Sequence, residues 1–195
     1  MNRRHNLQTL LQTLLATSAL PTLSSYAQSL PDVAALLRTG GCVLMLRHAQ
    51  TEAGIGDPPN FQLAHCSTQR NLSDEGRAQA KRIGLWFAAR KLAVASVQSS
   101  ARCRCKDTAM LAFGRFNLLP ALNSTFDSRS SQATQTEALR ERLKGIRAGQ
   151  FEVWVTHQVN ISSMTGERPA MGEAFVVKLG TGGTLGWVLA RTSFN

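Results

Sequence analysis

Apolar and polar positions along the chain follow two rhythms, and the changes of rhythm mark its elements. Pro31 to Arg38 is closed by Gly40-Gly41 and predicts a short helix, with proline at its start. Cys42 to Leu46 is an unbroken apolar run, the pattern of a strand buried on both faces, and it stops abruptly at Arg47-His48. Residues 49–71 contain Gly54, Gly56, Pro58 and Pro59 and read as a long loop. A loop beyond about 12–15 residues is usually functional or disordered. Ser73 is an N-cap with Asp74 and Glu75 in the first turn, opening a helix that runs to about Lys91 with Ala80, Ile83, Trp86 and Phe87 on one face. Ala93–Gln98 predicts a second strand, and Arg102–Phe113 a helix with Ala109, Met110 and Phe113 inward. Residues 114–130 read as irregular with some extended character, and Thr134–Arg147 as a helix. Phe151–Thr156 alternates as a strand and ends at His157, with a short helix over Val159–Met164. Ala174–Leu179 and Leu185–Ala190 flank Gly180-Thr181-Gly182-Gly183 as a hairpin.

Alternating strands and helices predict an α/β fold, a three-layer αβα sandwich around a mainly parallel central sheet. In such sheets ligands sit outside the carboxyl ends of the strands. Arg47-His48, Ser99-Ser100 and His157 all fall at such ends. Three polar groups far apart in sequence are therefore expected to meet in one crevice.

The first 27 residues do not share this pattern. Arg3 and Arg4 precede a Leu/Thr/Ala-rich run from Leu7 to Leu23, and Ser25-Tyr26-Ala27 places small residues where cleavage after Ala27 would need them. This is the layout of a bacterial secretory signal peptide, by the general or the twin-arginine route. Residues 28–195 then form a single domain, periplasmic or secreted. The chain carries 22 Lys and Arg against 12 Asp and Glu. Losing Arg3 and Arg4 leaves a net charge of +8 (20 basic, 12 acidic), which favours anionic partners. The basic residues are scattered and aromatics are sparse, so a nucleic-acid platform is not expected. No stretch has the roughly 18 uncharged apolar residues of a membrane span.

Cys42, Cys66, Cys103 and Cys105 permit disulfides in an exported protein. Cys103 and Cys105 lie about 200° apart around a helix and should not bridge each other. Cys66 paired with either Cys103 or Cys105 would tie the long loop to a helix, while Cys42 reads as an apolar core residue. No C-x-x-C or H-x-x-x-H spacing is present, so neither a zinc site nor any other cofactor is expected.

Alone, an Arg-His pair or a single histidine says little. Together the segments carry more. Leu44-Met45-Leu46-Arg47-His48-Ala49-Gln50-Thr51 resembles the first-strand signature of the histidine phosphatase, or phosphoglycerate mutase-like, superfamily. Asn71 to Ala80 resembles that family's first-helix start, and Ser99 to Ala109 its second motif, in which an arginine precedes a Thr-Ala pair by four and five residues. Val155 to Ile161 resembles the second-histidine motif, and Gly172 to Val177 the last strand region. The motifs occur in the family's order over about residues 40–190. Within the superfamily the chain most resembles small exported bacterial members, among them lipopolysaccharide core heptose phosphate phosphatases.

The resemblance implies a phosphomonoesterase without metal. Arg47 and Arg104 would present guanidinium forks to phosphate oxygens. His48 would attack phosphorus to give a phosphohistidine, and His157 would donate to a phosphate oxygen. Arg104, not Arg102, stands four residues before Thr108 and takes the second-motif role; Arg102 reads as a helix-start or rim residue. Arg70 and Thr51 are expected at the substrate rim. The proton donor is open, because Gln50 and Gln158 stand where branches of the family carry an acid. Asp127 leads the candidates, ahead of Glu52, Asp57 and Glu137. The substrate would be a phosphorylated small molecule or glycan. The other reading is a binding module that keeps the phosphate pocket without turnover.

Overall fold

The computed structural model describes residues 32–126, 129–180 and 186–194. The signal-peptide reading of residues 1–27, Pro31, the Asp127 assignment and the Gly182-Gly183 turn lie outside these residues.

The apolar run is strand β1 (Cys42–Arg47), and its alternate side chains enter two different cores. Cys42, Leu44 and Leu46 pack with Leu37, Ile83, Phe87, Cys105 and Ala109 on one face. Val43 and Met45 pack with Leu122, Leu139, Leu143, Ile161 and Met164 on the other. A strand covered on both sides has no position at which a polar side chain would be solvated, which is why the run is unbroken. The first core is closed by helices α1 (Val33–Thr39), α2 (Asp74–Ala89) and α3 (Cys103–Phe113), the second by α4 (Gln132–Lys144) and α5 (Gln158–Thr165). These are the three expected layers.

The other strands are β2 (Ser96–Ser99), β3 (Asn117–Leu118), β4 (Phe151–Thr156), β5 (Glu173–Leu179) and β6 (Gly186–Ser193). Sheet order is β3-β2-β4-β1-β5-β6. The β1, β4, β2 and β3 strands run parallel, whereas β5 is antiparallel to β1 and β6 to β5. Register sets Arg47 opposite Thr156 and Ser99 opposite Val155, so three carboxyl ends finish level at one edge.

Some boundaries differ from the sequence reading. The β2 strand starts at Ser96 rather than Ala93: only from Ala95, whose N–H donates to the Phe151 carbonyl, does the chain reach β4. The segment expected to be irregular contains β3, too short to show a period. The α4 helix begins at Gln132 and stops at Gly145, placing Leu139 and Leu143 inward. Met110, expected inside, is 50% exposed, because α3 turns Cys105, Thr108 and Ala109 to the core instead. At Gly76 the α2 helix lies directly on the chain after β1, where an added Cβ would stand 1.8 Å from the Gln50 carbonyl oxygen. That contact brings α2 against the segment carrying His48.

Candidate active site

Four segments meet beyond the level strand ends, around a cavity of about 340 Å³. The end of β1 supplies Arg47 and His48, α3 supplies Arg104, the end of β4 supplies His157, and the long loop supplies Gly54 to Asp57 and Arg70. Arg47, Arg104, His48 and His157 are thus brought together as expected, with the two imidazole centroids 5.5 Å apart.

Hydrogen bonds fix both histidines. His48 Nδ1 lies 2.9 Å from the Ala49 carbonyl and can only donate to it, so Nε2 carries the lone pair. Burial, with the charges of Arg104, Arg47 and Arg70, pushes the His48 pKa down to about 3 against the pull of that carbonyl. The ring is neutral and able to act as a nucleophile at ordinary pH. His157 is oriented by a polar chain that the sequence reading missed. The Ala101 N–H donates to Asn123 Oδ1 at 2.8 Å, identifying that atom as the amide oxygen. The Ser100 hydroxyl donates to the same oxygen at 3.2 Å. Ser100 Oγ, its proton so committed, accepts from His157 Nε2 at 2.9 Å. Nδ1 of His157 has no hydrogen-bond partner among the described residues. Burial, then the charges of His48 and the arginines, lower the His157 pKa well below the usual histidine range.

The Thr-Ala pair also has a physical account. Thr108 Oγ1 donates to the Arg104 carbonyl at 2.7 Å and accepts the Ala49 N–H at 3.1 Å. Four residues is the helical spacing that allows this back-bond, and it ties the arginine's turn of α3 to the backbone beside His48.

The arginines form a cationic wall. Arg47 Nη1 donates to the Pro169 carbonyl at 2.9 Å, and Arg70 Nη1 donates to the Gly54 carbonyl. The Nε groups of Arg47, Arg70 and Arg104 are buried and have no acceptor among the described residues. Burial and then neighbouring guanidinium charge lower the pKa of Arg47 and of Arg70. Clustered cations with unused donors fit an oxyanion of two charges. The positive end of the α5 dipole adds to the same field.

Asp57 is the one carboxylate lining this cavity among the described residues. It accepts from Arg104 Nη1 at 2.7 Å and the Arg70 N–H at 2.9 Å, and pairs with Arg102 Nη1 at 2.8 Å. Burial raises its pKa, but the hydrogen bonds and charges of Arg104, Arg70 and Arg102 outweigh this and hold it below the usual carboxylate range. An ionised Asp57 has no proton to give, so its standing as a proton-donor candidate is corrected to that of a brace. Arg102 caps the start of α3, the first of its two expected places; it is 5% exposed, bound to Asp57 and stacked over Phe61, and so is not at the rim. Residue patterning carried no signal for this pairing, because Asp57 lies in a loop without period. Thr51 is 5% exposed, its hydroxyl donates to the Met171 sulfur at 3.6 Å, and it does not line the cavity; the expected rim position is therefore corrected. Glu52 is exposed and off the cavity wall, and Glu137 pairs with Arg140 on the outer face of α4. Gln50 is also exposed, whereas Gln158 lines the cavity. His65 lies on the surface.

Residues 43–170 match the sequence profile of the histidine phosphatase superfamily, branch 1. The chain belongs to that superfamily. No curated protein matches it in sequence. Among solved structures, the protein histidine phosphatase SixA complexed with tungstate is similar at TM-score 0.50 and 17% identity, over 78% of this chain and 96% of that one. TTHB049 from Thermus thermophilus is similar at TM-score 0.53 and 21% identity, over 78% and 99%. Rv3214 from Mycobacterium tuberculosis is similar at 0.56 and 15%, over 75% and 94%. At such identities the likeness is one of fold.

This histidine phosphatase is stapled beside its site. A Cys66–Cys103 disulfide joins the long loop to the first residue of α3 and settles which helix cysteine is used. Cys42 and Cys105 are free and buried, with burial raising their thiols to about 11 and about 12. Gln69 Oε1 accepts the Cys103 N–H at 2.9 Å from the same loop. Among the described residues no group of three His, Cys, Asp or Glu side chains is placed to hold a metal ion, and no helix is long and apolar enough to cross a membrane.

Proposed function

We propose that the chain is an exported phosphomonoesterase that works without metal, through a phosphohistidine on His48, on a phosphorylated small molecule or glycan. The observation that carries this is the bare Nε2 of a neutral, buried His48 among three arginines with unused donors. Arg47, Arg104 and Arg70 bind the phosphate oxygens and spread their charge. Nε2 attacks phosphorus as the bond to the ester oxygen breaks. The departing alkoxide takes a proton. Water then attacks the phosphohistidine, releasing inorganic phosphate and restoring the imidazole. Because Ser100 takes the Nε2 proton of His157, that ring donates to a phosphate oxygen through Nδ1 only after an added proton, which the bound dianion favours.

Asp127 is proposed as the proton donor. Its neighbour Phe126 lines the cavity, Asp57 is held ionised, and Glu52 and Glu137 are off the wall. Export is supported by the signal-like start and by the disulfide, since disulfides persist in oxidising compartments. The test uses purified protein with nitrophenyl and alkyl phosphates. His48→Ala abolishes both turnover and an acid-labile phosphoenzyme; retained activity overturns the mechanism. Asp127→Asn slows the alkyl ester by roughly 10²–10⁴-fold and the nitrophenyl ester far less, because only the alkoxide needs the proton. Equal losses on both remove Asp127 from that role.

A further inference from the structure

Part of the cavity lining is apolar. Ile55 is 89% exposed and Phe126 53% exposed, and both line the cavity with Val159 and Met171. Single exposed apolar residues need no explanation. Here two of the seven large exposed ones among the described residues, from segments distant in sequence, lie at one mouth. The Phe126 ring packs over Gly56, where an added Cβ would stand 3.4 Å from its edge. Gly56 has φ +70, a conformation natural to glycine, so the turn that carries Ile55 also leaves room for that ring. Apart from the arginines, the histidines and Asp57, the polar side chains lining the cavity among the described residues are Ser124 and Gln158. They are too few to replace the water around the hydroxyls of a sugar, and hydroxyls stripped of water without partners disfavour binding. The cavity is also far larger than one phosphoryl group fills, and sites of this kind bind the remainder of the ligand on apolar surface.

We infer that the site selects phosphomonoesters whose leaving group is apolar, an alkyl or aryl alcohol seated between Ile55 and Phe126. The inference rests on the phosphatase reading and names its substrate class. It is tested with ethyl, butyl and hexyl phosphate, alongside glycerol phosphate and a hexose 6-phosphate. The simple alcohols differ little in basicity, so differences in kcat/KM among them report binding of the chain. The value climbs roughly two- to fourfold per methylene, and hexyl phosphate exceeds the hexose ester. In the double variant Ile55→Ser/Phe126→Ser the hexyl-to-ethyl ratio falls to about one, and because both side chains are exposed its melting temperature stays near the parent's. A flat series, a preferred hexose ester, or an unchanged ratio in a folded variant overturns the inference while the phosphatase reading stands. Loss of turnover on every ester overturns both.

Discussion

At the residue scale, the two buried histidines make stability depend on pH. His48 takes up its proton near 6.5 when unfolded and near 3 when folded. Between those values the unfolded chain binds more protons than the native one. Stability is therefore complete above about 6.5 and falls with pH through that window, by up to about 1.4 kcal/mol per pH unit. His157, shifted the same way, adds to the slope. Urea midpoints at pH 7 and pH 5 check this: His48→Asn loses less stability on acidification than the parent. An equal loss would mean that the imidazole is not buried neutral. That both histidines would come to one site was legible in their motifs. That Ser100 and Asn123 fix the proton on one of them was not, because serine and asparagine gain such a role only from where the chain brings them.

At the scale of elements, the long loop is held by covalent and ionic ties to the start of α3. The Cys66–Cys103 bridge closes a separation of 37 residues. Loop entropy gives such a bridge about 4 kcal/mol as an upper figure. Asp57, Phe61 and Gln69 follow from the same loop to Arg104, Arg102 and Cys103. Reduction therefore lowers the denaturation midpoint and, by loosening the Asp57 brace on Arg104, lowers kcat/KM; both recover on reoxidation. A Cys66→Ser/Cys103→Ser variant shows no response to reductant. If it responded as the parent does, one of the buried thiols would be the reactive group, contrary to their raised pKa values. Spacing could narrow the bridge to two partners only. The choice fell to Cys103 because α3 turns Cys105 inward, where its sulfur lies 3.5 Å from His157 Nε2.

For the whole molecule, the net charge and the arginine wall act together. The chain's net charge of +10 draws dianionic esters toward the cavity, and salt screens that attraction over about 10 Å at 0.1 M. kcat/KM for a dianionic ester should fall severalfold from about 20 to about 300 mM salt, with kcat little changed; a salt-independent kcat/KM would remove steering from the account. Sequence by itself determined the α/β architecture, because burial on one or two faces imposes a period that can be read residue by residue. Resemblance to the family's motifs singled out Arg47, His48, Arg104 and His157, and the fold brings these four to one cavity. Only the tertiary structure decided the rest. It decided that Asp57 is a brace rather than an acid, that Thr51 is buried, and that Ile55 and Phe126 line one cavity. Those residues stand in loops, where no period constrains a side chain and position follows from contacts made far along the chain.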